Sequence, residues 1–245
     1  TSNVRFGVNA GNSIASGGSY NVVVGDEAGT AITTGDYNTA LGYGSLQSTN
    51  TGSENTAVGR LALRDNTTGT LNVGMGVNAL LVNTTGDKNV AIGTQALTAN
   101  TTADNNTAVG YQALLANTTG TQNTAIGALA GDAMTTAGGN VGVGYQAMSA
   151  LTTGGGNTAV GHQSMANGVV TGLYNTALGD GSLLVVTSGA FNTALGRLAG
   201  ASNTTASRNT FVGQSAGTTN TTGIYNTALG DNALLANTTA NYNTA

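Results

Sequence analysis

An asparagine returns along this chain with a nearly fixed period. It stands at Asn3, Asn21, Asn38, Asn55, Asn72, Asn89, Asn106, Asn123, Asn140, Asn157, Asn175, Asn192, Asn209, Asn226 and Asn243. Twelve of the fourteen intervals are 17 residues; the first and the one after Asn157 are 18. A self-similar period of this length marks a solenoid, a propeller or an array. The repeat runs through residues 1–245, so one repetitive region is expected, with no separate cap or second domain. It reads as a segment of a longer fibre, because an uncapped solenoid end exposes strand edges that template association.

Counting the asparagine as slot one, the unit 106–122 reads NTAVGYQALLANTTGTQ. Slot two is Thr or Val, slot four is large and apolar, and slot five is Gly in every full repeat. Slot eight is Ala or Ser; slot nine is usually Leu or Met, with glycine at 11, 29, 131, 200 and 217. Side chains alternate across a strand, so slots two and four share one face. Their apolar character predicts that this face is buried. Slot three, mostly Ala or Gly, then faces something close, either another chain in a trimer or another wall of the same coil. The slot-five glycine predicts a corner at positive φ. Helix is disfavoured, since Asn, Thr and Gly recur where a helix interior would suffer.

Seventeen residues are too few for a βαβ unit and suit one coil of a parallel β-solenoid, in which each coil buries its neighbours' apolar faces. The fold class expected is therefore all-β: about fourteen stacked coils, forming a side-by-side homotrimeric rod or fibre roughly 65–70 Å long at about 4.8 Å per coil. Slot one becomes a structural ladder of stacked amides, at Asn55, Asn72, Asn89, Asn106 and Asn123 among others. Gly59, Gly76, Gly93, Gly110 and Gly127 form the matching glycine ladder. The absence of proline fits, because proline would remove a ladder donor.

Composition excludes several functions. Charged residues make up 7% of the chain, against roughly 25% in ordinary soluble domains. A net charge of −4 with six Lys+Arg offers no basic patch for nucleic acid. Without cysteine there are no disulfides and no thiolate metal sites. No apolar run reaches the length of a membrane span, so no membrane insertion is expected of this segment.

The core N-T-A-V/I/L-G-x-x-A resembles the head repeat of trimeric autotransporter adhesins, and the NTTG turns are similar to repeats of phage tail fibres. The resemblance covers all fourteen coils through about eight residues of each; the period of 17 and the N-T-T-G insertion depart from the adhesin pattern. It implies a left-handed parallel β-roll with three chains side by side, located extracellularly, on a cell surface or on a virion. The function expected is a stiff structural shaft or adhesin segment that presents an attachment tip. The alternative is a phage tail-fibre or tailspike shaft that binds host surface glycans. The partners implied are further copies of the chain and surface glycans.

Residues able to do chemistry are sparse. His162 is the only histidine and nothing triad-like surrounds it, so no catalytic residue, metal or cofactor is assigned and the chain is not read as an enzyme. Asp87 and Asp104 share a slot in adjacent coils, too few ligands for a hard cation. Tyr20 and Tyr37, Tyr174 and Phe191, and Tyr225 and Tyr242 each precede slot one in consecutive coils. They predict three stacked ring pairs and, functionally, a glycan-contact platform. The Asn-Thr-Thr triplets at Asn66, Asn83, Asn100, Asn117, Asn203, Asn220 and Asn237 are N-x-T glycosylation acceptors in form. Their bland reading is an Asn/Thr turn bonding its own backbone. Ice binding, the third function weighed for a Thr-rich solenoid, is disfavoured because the paired threonines are adjacent and slot two is expected to be buried.

Overall fold

The computed structural model describes residues 2–14 and 17–245. These residues form no helix and fourteen three-residue strands, from Val4–Phe6 to Thr227–Leu229. The chain divides into two compact units, Thr1–Gln122 and Asn123–Ala245. Within each unit, every strand pairs in parallel with the strand one repeat later and without slippage. Thr39 lies beside Thr56, Ala40 beside Ala57 and Leu41 beside Val58 in the first unit; Thr176, Ala177 and Leu178 lie beside Thr193, Ala194 and Leu195 in the second. Both units are thus parallel β-solenoids, as the repeat predicts.

The coil 55–71 shows how local sequence makes the bend. Thr56–Val58 is the strand, and Gly59 ends it at φ 131°. A side chain there has no room: a Cβ added to Gly59 or to Gly76 would approach the carbonyl oxygen of the next slot-five glycine to 2.6 Å. The remaining corners are left-handed too, at Leu61 (φ 57°), Leu63 (φ 51°) and Leu71 (φ 59°). A non-glycine residue in this region costs roughly 1–2 kcal/mol. Stacking offsets the cost at Leu63, which is fully buried and whose amide donates to the Ala79 carbonyl at 2.9 Å.

The expected facing of the strand is reversed. From Val23 onward slot three is the buried residue of every strand, while slots two and four are half-buried or exposed. The cause is the size of the coil. Seventeen residues enclose a narrow lumen that accepts Ala57, Ala62, Leu63 and Asn66 and leaves Thr56 and Val58 outside. Of the two readings of slot three, another wall of the same coil is the observed one. The core is therefore built of Ala, Leu and Asn rather than Val, Leu and Ile.

Volume is exchanged between slots three and nine. Where slot three is Gly74 or Gly142, an added Cβ would meet Leu63 or Met148 from slot nine. Where slot three is Phe211, slot nine is Gly200 and Gly217, and a Cβ on either would strike the Phe211 ring. The 18-residue coil after Asn157 adds its residue in the stretch 167–170: Asn167, Gly168 and Val169 are exposed, and Val170 returns to the core.

Candidate functional site

The slot-one asparagines from Asn21 to Asn226 lie on the inside wall and are buried. Each does two things. Its amide nitrogen reaches across its own coil to the slot-fifteen carbonyl, as from Asn55 to Gly69 at 2.9 Å and from Asn192 to Ala206 at 2.8 Å. Its side-chain oxygen accepts the backbone N–H of the next asparagine: Asn72 to Asn55 at 3.0 Å, Asn89 to Asn72 at 2.9 Å, Asn106 to Asn89 at 3.0 Å. In the second unit the same ladder begins with Asn140 donating to Asn123 at 3.1 Å. A carboxamide supplies a donor and an acceptor at once, which explains why this slot admits only asparagine.

The Asn-Thr-Thr triplets correct the glycosylation reading. Asn66, Asn83, Asn100, Asn117, Asn203 and Asn220 are fully buried, so the folded coil has no room for a glycan at any of them; only Asn237, in the terminal coil, has a partly open side chain. These residues form a second internal ladder. Asn83 donates to the Asn66 oxygen at 2.9 Å and Asn100 to that of Asn83 at 2.7 Å, and each also closes its own turn onto the residue three later. Slot-thirteen threonines extend the turn, Thr67 Oγ1 donating to the Thr84 carbonyl at 2.9 Å. Asn203 breaks the pattern. Neither atom of its buried amide has a partner, and the same slot one coil earlier holds Val186.

The predicted ring pairs are stacked: Tyr20 on Tyr37 with centroids 5.0 Å apart, Tyr174 on Phe191 at 5.4 Å, Tyr225 on Tyr242 at 5.1 Å. Two partners were not read from the sequence. Arg208 inserts its guanidinium between Phe191 and Tyr225, 5.8 and 5.4 Å from their centroids. His162 stacks on Tyr145 at 5.6 Å, and its Nδ1 lies 3.0 Å from Asp180, whose other oxygen is 3.7 Å from Arg197. The period of 17 holds the signal for both, since Arg208 falls in the slot of the ring pairs and Tyr145, His162, Asp180 and Arg197 share slot six.

The carboxylates do not converge. Among the described residues no group of three or more His, Cys, Asp or Glu could hold a metal. Asp87 and Asp104 sit in adjacent coils, but each accepts a backbone N–H from the coil before it, at 2.7 Å from Thr70 and from Asp87. Burial pushes the Asp132 carboxyl above its ordinary range, against two backbone N–H bonds that lower it. No helix among the described residues is long and apolar enough to cross a membrane.

What remains is the outer face of the sheet. Slots two and four carry no charge in any coil, yet they are open to solvent: Phe6, Leu41, Met75 and Ile92 in the first unit, and Ile126, Leu178, Leu195 and Leu229 in the second, are all exposed. In each unit they form an apolar stripe one coil-rise apart. The fold and this stripe define a parallel β-solenoid with an uncovered apolar sheet face. No protein-family model, curated protein or solved structure matches the chain.

Proposed function

We propose that the protein is a structural fibre segment whose chains associate side by side through the outer sheet face, as an extracellular shaft or adhesin on a cell or virion surface. The observation that carries this reading is the charge-free stripe of slots two and four, with Phe6 at 76% and Leu41 at 47% exposure. Contiguous exposed apolar surface of this kind marks an interaction site. The partner best matched to it is a second copy of the chain. A surface with the same coil period keeps register along the stripe of each unit, whereas a different partner would need charge or shape cues that these slots lack. Three copies around the stripe are what the resemblance to adhesin heads implies, and the role is mechanical, with no turnover.

The outward-facing slot-two threonine removes one argument against ice binding. Slot four still tells against it, because it varies from Val to Leu, Met and Phe and so gives no level array of hydroxyls.

Sedimentation equilibrium tests the assignment. The wild-type protein is expected to run as an oligomer, a trimer if the resemblance holds. Ile92→Asp with Leu195→Asp, one outward change in each unit, is expected to give monomers with an unchanged circular dichroism spectrum. A wild-type monomer at all concentrations would refute lateral association.

A further inference from the structure

In five consecutive coils the slot before the ladder asparagine holds a large planar side chain: Tyr174, Phe191, Arg208, Tyr225 and Tyr242. The geometry points to this strip as a binding site for a carboxylate-bearing saccharide chain, with Arg208 as the anion-recognising group. The proposal goes beyond the shaft reading and does not depend on lateral association.

The backbone does not ask for these residues. All five are left-handed, with φ between 56° and 61°, a region that Gly and Asn enter most cheaply; Asn105, Gly139 and Gly156 occupy the same slot elsewhere. Nor does burial repay them, since Tyr174, Phe191 and Tyr242 are each more than half exposed.

The stack also decides what the strip presents. Both faces of Phe191 and of Tyr225 are covered by a neighbouring ring and by the guanidinium, so along the middle of the strip a sugar has little ring face to lie on. Outward lie ring edges, which carry the positive end of the aromatic quadrupole, together with tyrosine hydroxyls and the in-plane N–H groups of Arg208. All of these attract oxygen.

Arg208 lacks the counter-charge that Arg64 and Arg197 have. Arg64 pairs with Asp65 and Arg197 with Asp180, whereas Arg208 has no carboxylate partner among the described residues and bonds only the Tyr225 hydroxyl. The neighbouring slot sixteen is Asp36, Asp87 and Asp104 in earlier coils but Leu173, Ala190, Ser207, Ile224 and Asn241 beside the strip, with no charge. A cleft of about 370 Å³ opens there, lined by Ala190, Phe191, Ser207, Arg208, Ile224 and Tyr225. A guanidinium covered on both faces keeps its forked N–H edge for a planar carboxylate.

Five coils span roughly 19 Å at about 4.8 Å per coil, a length suited to an extended chain. One cation over that length does not suit duplex nucleic acid, with a charge every ~1.7 Å. A hydroxyl-rich acidic polysaccharide, whose carboxylates stand at least one sugar apart, satisfies both conditions.

Calorimetric titration of the intact protein with oligogalacturonate, its fully methyl-esterified form and polyglutamate tests the assignment. Oligogalacturonate is expected to bind, the ester at least tenfold more weakly, and polyglutamate more weakly than the oligosaccharide. Arg208→Gln is expected to lose at least tenfold; Gln122 already fills this slot in another coil, so the variant should fold, which amide protection at Asn209 can check. Arg208→Lys, which keeps charge without the fork, is expected to fall in between. Absence of oligogalacturonate binding, equal binding of acid and ester, tighter binding of polyglutamate or an unchanged Arg208→Gln would each overturn the proposal.

Discussion

Phe211 gives the sharpest test of how the lumen is filled. It is the one aromatic residue in a slot otherwise held by Ala, Gly, Val and the exposed Arg5, and it is fully buried. It fits because slot nine is glycine in its own coil and in the one before: a Cβ on Gly200 would stand 2.8 Å from the ring and 3.0 Å from Leu183. Phe211→Ala alone should cost about 3–5 kcal/mol, because no neighbouring side chain can fill the cavity. Gly217→Leu alone should cost about 1–3 kcal/mol or more, by overpacking against the ring. Combining Phe211→Ala with Gly200→Leu and Gly217→Leu restores a leucine rank between Leu183 and Leu234. Two leucines regain roughly 2 kcal/mol each by burial and cost roughly 1–2 kcal/mol each in left-handed corners. The triple variant should therefore regain about 1 kcal/mol on Phe211→Ala instead of losing the further cost of each glycine change, so the three changes are far from additive. Global unfolding of a repeat array is a poor probe, so the assay is native-state amide exchange at Thr210 and Gly213, which donate to Asn226 and Leu195 at 2.9 and 2.8 Å. At about 1.4 kcal/mol per tenfold, Phe211→Ala should lower protection by ~100-fold or more. If the triple variant exchanges as fast as Phe211→Ala, the volume exchange between slots three and nine is not what sets the packing.

Two further changes probe the polar core. Asn203→Leu removes an amide with two unpartnered buried atoms and should raise local stability by about 1–3 kcal/mol, whereas Asn83→Leu severs bonds to Asn66 and Asn100 and should lower it by a similar amount; exchange rates in the two coils decide. Asp132 has a folded-state pKa raised by burial, so the native protein binds its proton more tightly than the unfolded chain does. That contribution is present in full below the ordinary carboxylate pKa and fades as pH rises through the raised one. Asp132→Asn should accordingly stabilise the coil at neutral pH and flatten this part of the pH profile, and equal pH profiles for the two proteins would count against the desolvation argument.

The period, the strand and the ladder were legible because each is written as identity at a fixed spacing: Asn at slot one, Gly at slot five, an unshifted register. The inward face was not legible. Alternation says that Thr107 and Val109 share a side and Ala108 takes the other, and hydrophobicity favours the wrong side when the lumen is too narrow for valine and leucine together. The left-handed corners were hidden because leucine occupies them, although the glycines that replace it at 11, 29, 131, 200 and 217 mark the same backbone. Arg208 was missed because an arginine among tyrosines does not look like a member of their series until slot and geometry are combined. The N-x-T triplets misled for a related reason: the motif records residue type, and only the turn, which aims Asn66 at the Gly69 carbonyl inside the coil, decides exposure.

The polar lumen also explains why a chain so poor in charge can hold one register. An Ala–Leu interior alone would tolerate a coil sliding along the strand direction, since many small apolar contacts are nearly equivalent. An amide ladder does not tolerate it. A shift of one residue would leave Asn55 and Asn72 without the partners that satisfy both ends of each carboxamide, and an unmade buried hydrogen bond costs about 1–3 kcal/mol per group. Slot twelve varies the device by block, with Asn66 to Asn117 in one run, Met134, Leu151 and Val186 elsewhere, and Asn203 to Asn237 in another. Where two blocks meet in the second unit, the native register itself sets Val186 beside Asn203 and leaves that amide unbonded. Within a run of asparagines the buried amides therefore fix the register, a use of buried polar residues to specify pairing rather than to maximise stability.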